Sequence, residues 1–175
     1  MVKQQKGLLL IYTGAGKGKT TAALGTAVRA LGHGMRVAML QFIKGKWRTG
    51  ERRFGEQTEN LIWLTMGEGC TLRSTDPSRD RAAARLAWEK AREFLGCEDV
   101  DLLVLDEIIY AINLNFMSVE EVKAALETRR HDLHVILTGR SAPTELIEIA
   151  DLVTEMRAVK HPFERGERGR IGLDF

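Results

Sequence analysis

The chain has 175 residues, of which 44% are hydrophobic and 29% charged, as is usual for a soluble globular protein with one substantial core. Lys and Arg number 26 against 24 Asp and Glu, so the net charge of +2 gives no reason to expect a nucleic-acid or anionic-membrane partner. Cys70 and Cys97 have no CxxC spacing, which disfavours a disulfide framework or a zinc site. The apolar run near the N-terminus is too short for a membrane span and lacks a signal-peptide cleavage region, so we expect a cytoplasmic protein without a membrane partner.

Short apolar runs rich in β-branched residues alternate along the chain with helical patterns. In chain order the predicted elements are a strand at 7–13, a helix at 19–31, strands at 35–42 and 61–65, a helix at 76–96, a strand at 100–107, a helix that begins after a capping box of Ser118 and Glu121, a strand at 134–139 and a helix at 143–150. The regular pattern ends with 151–156, and the stretches 44–53 and 160–175 resist assignment. This alternation predicts an α/β fold in which a mostly parallel central sheet carries helices on both faces. We expect one domain at 7–175, preceded by an N-terminal segment at 1–6 that is either flexible or folded over a neighbouring active site.

A glycine-rich loop, TGAGKGKTT at 13–21, connects the first predicted strand to the first predicted helix. Strand, loop, Gly-Lys-Thr and helix in this order are typical of a phosphate-binding loop, although the interval before Gly18 is one residue shorter than usual. The backbone amides of such a loop and the positive end of the helix dipole point at a phosphate group. We expect Lys19 to bind phosphate oxygens and Thr20 to bind Mg²⁺, with Lys17 as a second cation. The predicted nucleotide-binding residues of the loop are Gly14, Ala15, Gly16, Lys17, Gly18, Lys19, Thr20 and Thr21.

An acidic pair, Asp106 and Glu107, directly follows the apolar run LLVL. Because the carboxyl ends of parallel strands share one edge of the sheet, we expect this pair to lie beside the glycine loop. In phosphate-loop enzymes a carboxylate at that position holds magnesium directly or through water. Taken alone such a pair is more often a helix cap, but together with the loop it favours a metal site. The predicted metal-binding residues are Thr20, Asp106 and Glu107, and the sequence leaves open which carboxylate touches the ion.

An ordered series of further segments extends from residue 12 to residue 175. The segments are YTGAGKGKTTAALGTAVRALGHGMRV, QFIKGKWRTGE, MGEG, AWEKA, LLVLDE, LTGR, ADLVTEMRAVKH and the closing GLDF. Through them the sequence resembles the ATP:cob(I)alamin, or corrinoid, adenosyltransferases of the cobalamin pathway, whose loop has the same shortened form. The resemblance implies a P-loop nucleotide-binding fold of the RecA-like type and a homodimer.

The resemblance also implies a reaction: transfer of the 5′-deoxyadenosyl group of ATP to the Co(I) of a reduced corrinoid, with triphosphate as the product, in adenosylcobalamin biosynthesis or salvage. Co(I) is a strong nucleophile, so the protein has to position the substrates, exclude water and stabilise the leaving triphosphate. On this interpretation Lys19, Thr20 and Glu107 are catalytic, and Gln41 and Arg140 join the nucleotide-binding residues. An electron donor such as a flavodoxin or flavin reductase is an expected partner. We expect the shortened loop to shift the phosphates so that the ribose 5′-carbon points outward.

The segment after MGEG departs from the family's pattern. Family members usually carry Phe-Thr-Trp there, and those aromatic residues are thought to help displace the lower base of the corrinoid, whereas this chain has Cys70-Thr71-Leu72. Leu72 can supply apolar bulk, but neither it nor Cys70 offers an aromatic face. The preferred corrinoid therefore stays open, and Trp47 and Phe54 are candidates to replace the aromatic contacts.

Two other functions are compatible with a nucleotide site. One is a recombinase-like P-loop ATPase that uses the basic stretches 44–53 and 164–170 on nucleic acid and produces ADP and phosphate. The other is a nucleotide sensor or corrinoid carrier without turnover, which the presence of both Gly-Lys-Thr and Asp-Glu disfavours. Trp63 and Trp88 lie in apolar patterns and are expected in the core, which leaves Trp47 as the candidate for stacking on a ligand. The ordered segments favour the adenosyltransferase, for which we expect no nucleic-acid partner.

Overall fold

The computed structural model describes residues 5–43, 49–66 and 77–174, apart from the side chains of Pro77 and Phe163. Some of the predictions lie outside these residues. They concern most of the N-terminal segment, Trp47, the MGEG segment with Cys70 and Leu72, the start of the helix predicted from residue 76, and the last residue of GLDF.

Six strands of the described residues form one sheet in the order β3-β2-β4-β5-β1-β6, and every pairing is parallel. The strands are β1 Leu9–Thr13, β2 Val37–Gln41, β3 Leu61–Thr65, β4 Leu102–Asp106, β5 His134–Thr138 and β6 Leu152–Glu155. The predicted parallel α/β sheet is confirmed. One edge of the sheet is β6, which the sequence pattern did not predict. The strand is exposed throughout, so it lacks the apolar run by which a buried strand is recognised.

The helices connect these strands. They are α1 Lys19–Gly32, α2 Gly50–Gly55, α3 Pro77–Gly96, α4 Ile108–Asn113, α5 Val119–Glu127 and α6 Thr144–Ile149, followed by a 3-10 helix at Pro162–Arg165. The predicted cap of α5 is confirmed, since Ser118 Oγ accepts a hydrogen bond from the Glu121 amide at 3.1 Å. Within the unassigned stretch 44–53, α2 begins after Thr49, whose hydroxyl accepts from the Arg52 amide at 3.4 Å. None of the described helices is long and apolar enough to cross a membrane.

Helices cover both faces of the sheet, as the sequence predicts. On one face α1 packs its small residues Ala23 and Ala27 against side chains from the central strands. On the other face α3 to α6 enclose the larger part of the core, in which Trp88 is fully buried. Trp63 is only half-buried, on the α1 face beside Gly55. The alanines let α1 approach the sheet closely, which places its first turn beside the carboxyl ends of the strands.

Those carboxyl ends carry the polar residues of the core. Thr13, Gln41, Asp106 and Thr138 are the last residues of β1, β2, β4 and β5, and all four are buried. The register pairs Gln41 with Asp106 across β2 and β4 and with Thr65 across β2 and β3. Ligands of open parallel sheets bind at this edge. The fold therefore brings together side chains that lie far apart in the sequence.

Candidate nucleotide and metal site

The glycine loop between β1 and α1 packs closely against the segment that follows β6. The Gly16 amide donates to the Met156 carbonyl at 2.7 Å. A Cβ atom on Gly14 would lie 2.4 Å from the Met156 carbonyl oxygen, and one on Gly16 would lie 2.7 Å from the Arg157 carbonyl carbon. Gly14 and Gly18 also have φ values of 99° and 108°, in the region that only glycine adopts readily. The sequence requires glycine here because two backbones touch and the chain turns in the left-handed region.

Lys19 extends back across this loop. Its side chain is buried, and Nζ donates to the Gly14 and Gly16 carbonyls at 2.8 Å each. Burial lowers the pKa of Lys19, an effect that the charge of Glu107 opposes and the charge of Arg140 reinforces. An ammonium group has three N–H donors, so two fix Nζ inside the loop and the third can bind a phosphate oxygen. The structure thus places Lys19 Nζ inside the loop, and its binding of phosphate stays a prediction.

Asp106 is the centre of a buried hydrogen-bond network. Its side chain is fully buried, and its Oδ1 accepts from the hydroxyls of Thr20, at 2.9 Å, and Thr138, at 2.7 Å. Its Oδ2 accepts from Gln41 Nε2 at 3.1 Å. These donors come from α1, β5 and β2, so one carboxylate links the loop helix to two strands. The proton of the Thr20 hydroxyl points to Asp106, which leaves the oxygen lone pairs of Thr20 to face a cation.

Glu107 occupies a different position from its neighbour. It has left-handed backbone with φ 63° and directly precedes α4, and its amide donates to the Thr138 hydroxyl at 2.9 Å. Its side chain is half-buried and lines the cavity beside the loop. A left-handed non-glycine residue costs about 1–3 kcal/mol and persists only where the surrounding structure holds it. Asp106 thus orients other groups from the interior, and Glu107 faces the cavity.

A cavity of about 550 Å³ lies in front of the loop. Its lining residues come from the loop, α1, α2 and three later segments, and they are Gly16, Lys17, Gly18, Lys19, Thr20, Thr21, Leu24, Gly50, Glu51, Glu107, Arg140, Gly172, Leu173 and Asp174. Seven of the ten residues predicted to bind the nucleotide line this cavity. Gln41 instead lies behind the cavity, bonded to Asp106, and Ala15 is exposed on the loop.

The C-terminal segment also lines this cavity, which the sequence analysis did not predict. Residues 172–174 line the cavity, and the Asp174 carboxylate forms an ion pair with Lys17 Nζ. Asp174 also closes a local turn, since its Oδ2 accepts from the Arg170 amide at 2.7 Å and its own amide donates to the Arg170 carbonyl at 2.9 Å. The letters GLDF contribute to the family resemblance, but nothing local in them indicates a contact of Asp174 with Lys17, which stands 157 residues earlier in the loop.

The residues at the loop fit a magnesium ion that is bound together with phosphates. Among the described residues no group of three or more His, Cys, Asp and Glu could hold a metal by itself. Mg²⁺ is usually held by one or two carboxylates or hydroxyls, with phosphate oxygens and water completing its shell. Thr20 and Glu107 offer such hard oxygen ligands at the cavity, with Asp106 behind them. The site is suited to a metal–nucleotide complex rather than to an isolated ion.

The fold has a solved counterpart. A KaiC-like protein from the archaeon Pyrococcus horikoshii superposes with a TM-score of 0.50 and 17% sequence identity over 87% of this chain and 73% of that chain. At this identity the likeness concerns the fold alone. It agrees with the predicted P-loop nucleotide-binding architecture.

Sequence relatives identify the family. The family described as ATP:corrinoid adenosyltransferase BtuR/CobO/CobP matches residues 5–175. The corrinoid adenosyltransferase of Escherichia coli K12 is 41% identical over 173 residues, which cover 99% of this chain and 88% of that protein. The corrinoid adenosyltransferase of a Sinorhizobium species is 45% identical, covering 98% and 81%, and corrinoid adenosyltransferase CobA of Salmonella typhimurium is 39% identical, covering 99% and 88%. Because the family match spans nearly the whole chain and these relatives are about 40% identical to it, this chain belongs to the ATP:corrinoid adenosyltransferases.

Proposed function

We propose that this protein transfers the 5′-deoxyadenosyl group of ATP to the Co(I) of a reduced corrinoid and releases triphosphate. The observation that carries the proposal is the match to the family along residues 5–175. The assembled loop, Lys19, Thr20 and Asp106 support it, because they form a site for a polyphosphate. The reaction serves adenosylcobalamin biosynthesis or salvage.

The proposed step is a displacement at carbon. The electron pair of Co(I) attacks the ribose 5′-carbon, the bond between that carbon and the α-phosphate oxygen breaks, and triphosphate leaves with the bonding pair. Negative charge develops on the leaving oxygen, so groups that stabilise it in the transition state accelerate the reaction. In this proposal Lys19, Lys17 and amides of the loop stabilise that charge. Arg140, which lines the same cavity, adds a further positive charge.

Magnesium is the proposed metal, with Thr20 and Glu107 as its protein ligands and Asp106 as the residue that orients Thr20. When bound, the ion would neutralise part of the triphosphate charge. Of the two carboxylates between which the sequence leaves the choice open, we assign Glu107 to the metal for the following reason. Asp106 is fully buried and already accepts three side-chain hydrogen bonds, whereas Glu107 lines the cavity.

The shortened loop is proposed to direct the 5′-carbon outward, toward the corrinoid. A hydrolase has to present the γ-phosphate to water, whereas this reaction has to present the ribose. A crystal structure with an ATP analogue would test the idea. A nucleotide whose 5′-carbon is buried away from the cavity mouth would contradict it.

An anaerobic assay with ATP, Mg²⁺ and chemically reduced cobalamin tests the function. We expect the Co(I) absorbance to give way to that of the light-sensitive adenosylated product, with one triphosphate released for each product formed. Lys19→Met is the matched inactive control. Consumption of ATP to ADP and phosphate, stimulated by DNA or RNA and without a change in the corrinoid spectrum, would favour the recombinase-like ATPase instead.

We also propose an electron-donor partner, a homodimer and a cytoplasmic location for this protein. A low-potential electron donor such as a flavodoxin or flavin reductase is proposed because Co(I) has to be generated from a more oxidised corrinoid. A homodimer is proposed from the family resemblance, and sedimentation would establish it. We place the protein in the cytoplasm, where ATP and such donors are available.

A further inference from the structure

A chain of hydrogen-bonded side chains crosses three neighbouring strands behind the candidate metal site. Trp63 Nε1 donates to Thr65 Oγ1 at 3.3 Å, and Thr65 Oγ1 donates to Gln41 Oε1 at 3.2 Å. Gln41 Nε2 then donates to Asp106 Oδ2 at 3.1 Å. We call these four side chains the cross-strand relay. It extends from the edge strand β3, through β2, to the carboxylate at the end of β4.

The direction of each hydrogen bond in the relay follows from the chemistry of its two ends. The indole N–H of Trp63 can only donate, and an ionised Asp106 can only accept. Thr65 therefore accepts from the indole and gives its own proton to the Gln41 carbonyl oxygen. The opposite orientation of the Gln41 amide would place its oxygen against the Asp106 carboxylate. The relay thus has one consistent arrangement of protons, and successive bonds in such a chain polarise one another.

The relay bears on the metal site because, together with the Thr138 hydroxyl on Oδ1, it holds the rotation of the Asp106 carboxylate. The terminal torsion of an aspartate is intrinsically broad, so its hydrogen bonds decide where the two oxygens lie. Gln41 holds Oδ2, while Oδ1 holds the hydroxyl of Thr20. If the carboxylate turned, Oδ1 would move and the Thr20 hydroxyl would lose its partner.

The relay depends on the Thr65 hydroxyl, which is the hydrogen-bond donor to the Gln41 side-chain oxygen. Gln41 has 2% of its surface exposed, so its amide oxygen depends on Thr65, and a buried acceptor that loses its partner is costly. The Gln41 side chain would then move to recover a hydrogen bond, at the expense of its bond to Asp106. Valine has nearly the shape of threonine but no hydroxyl, so Thr65→Val removes the hydrogen bond to Gln41 with little change in packing.

We propose that Thr65 is a positioning residue for the metal–nucleotide site and acts through Gln41 and Asp106 on the Thr20 hydroxyl. The inference rests on the proposed function only in taking the cavity as a site for a divalent cation with ATP. Thr65 touches neither of these directly. It adds β3, the edge strand, to the elements that determine cation affinity.

Binding of Mn²⁺, measured by electron paramagnetic resonance in the presence of ATP and without corrinoid, tests the proposal. We expect Thr65→Val to weaken Mn²⁺ affinity by about threefold to tenfold, which is less than the roughly tenfold to hundredfold loss typical of an outer-shell partner, because Thr65 acts through two further side chains. Thr65→Ser keeps the hydroxyl and should restore affinity to within about twofold of the wild type. Thr58→Val is the matched control, because the Thr58 hydroxyl is exposed and bonds to the Phe54 carbonyl. Equal Mn²⁺ affinity of Thr65→Val and the wild type would overturn the proposal.

A second variant covers the case in which Thr65→Val does not fold. Gln41→Met removes the middle of the relay at similar volume and should lower Mn²⁺ affinity at least as much. In the double variant the two losses should not add, because both break one chain; additive losses would also overturn the proposal. Failure of the wild type to transfer adenosyl groups, with Mn²⁺–ATP binding still sensitive to Thr65, would reject the proposed function and leave this inference standing.

Discussion

Two acidic residues contact the glycine loop, Asp106 through Thr20 and Asp174 through Lys17, and their surroundings differ. Asp106 is fully buried and accepts hydrogen bonds from three elements. Asp174 lies in the exposed C-terminal segment and pairs with Lys17, whose side chain is 50% exposed. A buried charge that loses its partners is expensive, whereas an exposed ion pair contributes little to stability. We therefore expect Asp106 to determine the geometry of the site and Asp174 only to adjust its affinity.

The largest effect is expected from Asp106→Asn, which keeps the shape and replaces one acceptor oxygen with a donor. At least one of the hydroxyl and amide groups that bond to Asp106 would then face another donor. We expect the free energy of unfolding in urea to fall by about 1–3 kcal/mol and adenosyl transfer to fall about a hundredfold. The control is Asp99→Asn at an exposed pair with Arg36. Unchanged activity would mean that Asp106 does not organise the site.

The next effect concerns the charge of Lys19. Its pKa in the folded protein is lowered, first of all by burial, so the folded state loses this proton at a lower pH than the unfolded chain does. Between those two pKa values the unfolded state binds more protons, and this group's contribution to stability rises with pH. ATP affinity should change in the opposite sense and fall, by about tenfold, as Lys19 loses its charge. Titration calorimetry from neutral to alkaline pH measures this loss.

Lys19→Met is the control for that measurement. The variant should bind ATP weakly at every pH and lack the alkaline transition assigned to Lys19. A transition of the same size in Lys19→Met would assign the titration to another group.

A smaller effect is expected where the loop touches the segment after β6. Gly16→Ala would place a Cβ atom 2.7 Å from the Arg157 carbonyl carbon, and a backbone atom cannot yield as a flexible side chain can. We expect ATP affinity to fall about fivefold and stability by about 1–3 kcal/mol. Gly25→Ala in α1 is the matched control, because a Cβ atom there meets nothing within 4 Å; it should stabilise the helix slightly. Equal behaviour of the two variants would show that the close approach is not required.

The smallest effect is expected at Asp174, the exposed one of the two acidic residues. Asp174→Asn removes the anion paired with Lys17, so Lys17 becomes more available to a triphosphate. We expect ATP affinity to rise about twofold to fivefold, with almost no change in thermal stability. Lys17→Gln, alone and combined with Asp174→Asn, completes the cycle, and the gain should vanish when Lys17 is absent. Weaker ATP binding in Asp174→Asn would instead make Asp174 a residue that positions Lys17.

The sequence by itself determined the features that depend on local pattern. The loop at 13–21 was recognisable because glycines, Lys19 and Thr20 stand between a strand pattern and a helix pattern. The buried strands β1, β2, β4 and β5 were predictable because a strand covered on both faces is apolar throughout. The short α4 was not predicted because its apolar residues follow the apolar run of β4 after only two acidic residues. The segment 151–156 was not identified as a strand because the exposed edge strand β6 has no long apolar run.

Only the tertiary structure decided which distant side chains meet. Gln41 bonds to Thr65, 24 residues later in the chain, and to Asp106, 65 residues later. Both contacts depend on the order of β3, β2 and β4 in the sheet, which no local pattern encodes. The different positions of Asp106 and Glu107 depend on the left-handed turn at the end of β4. The contact of Asp174 with Lys17 depends on where the C-terminal segment returns. The periodicity of apolar residues along a chain indicates which side of a helix or strand is buried. The order of the strands in the sheet and the path of the chain determine which distant side chains that buried side contacts.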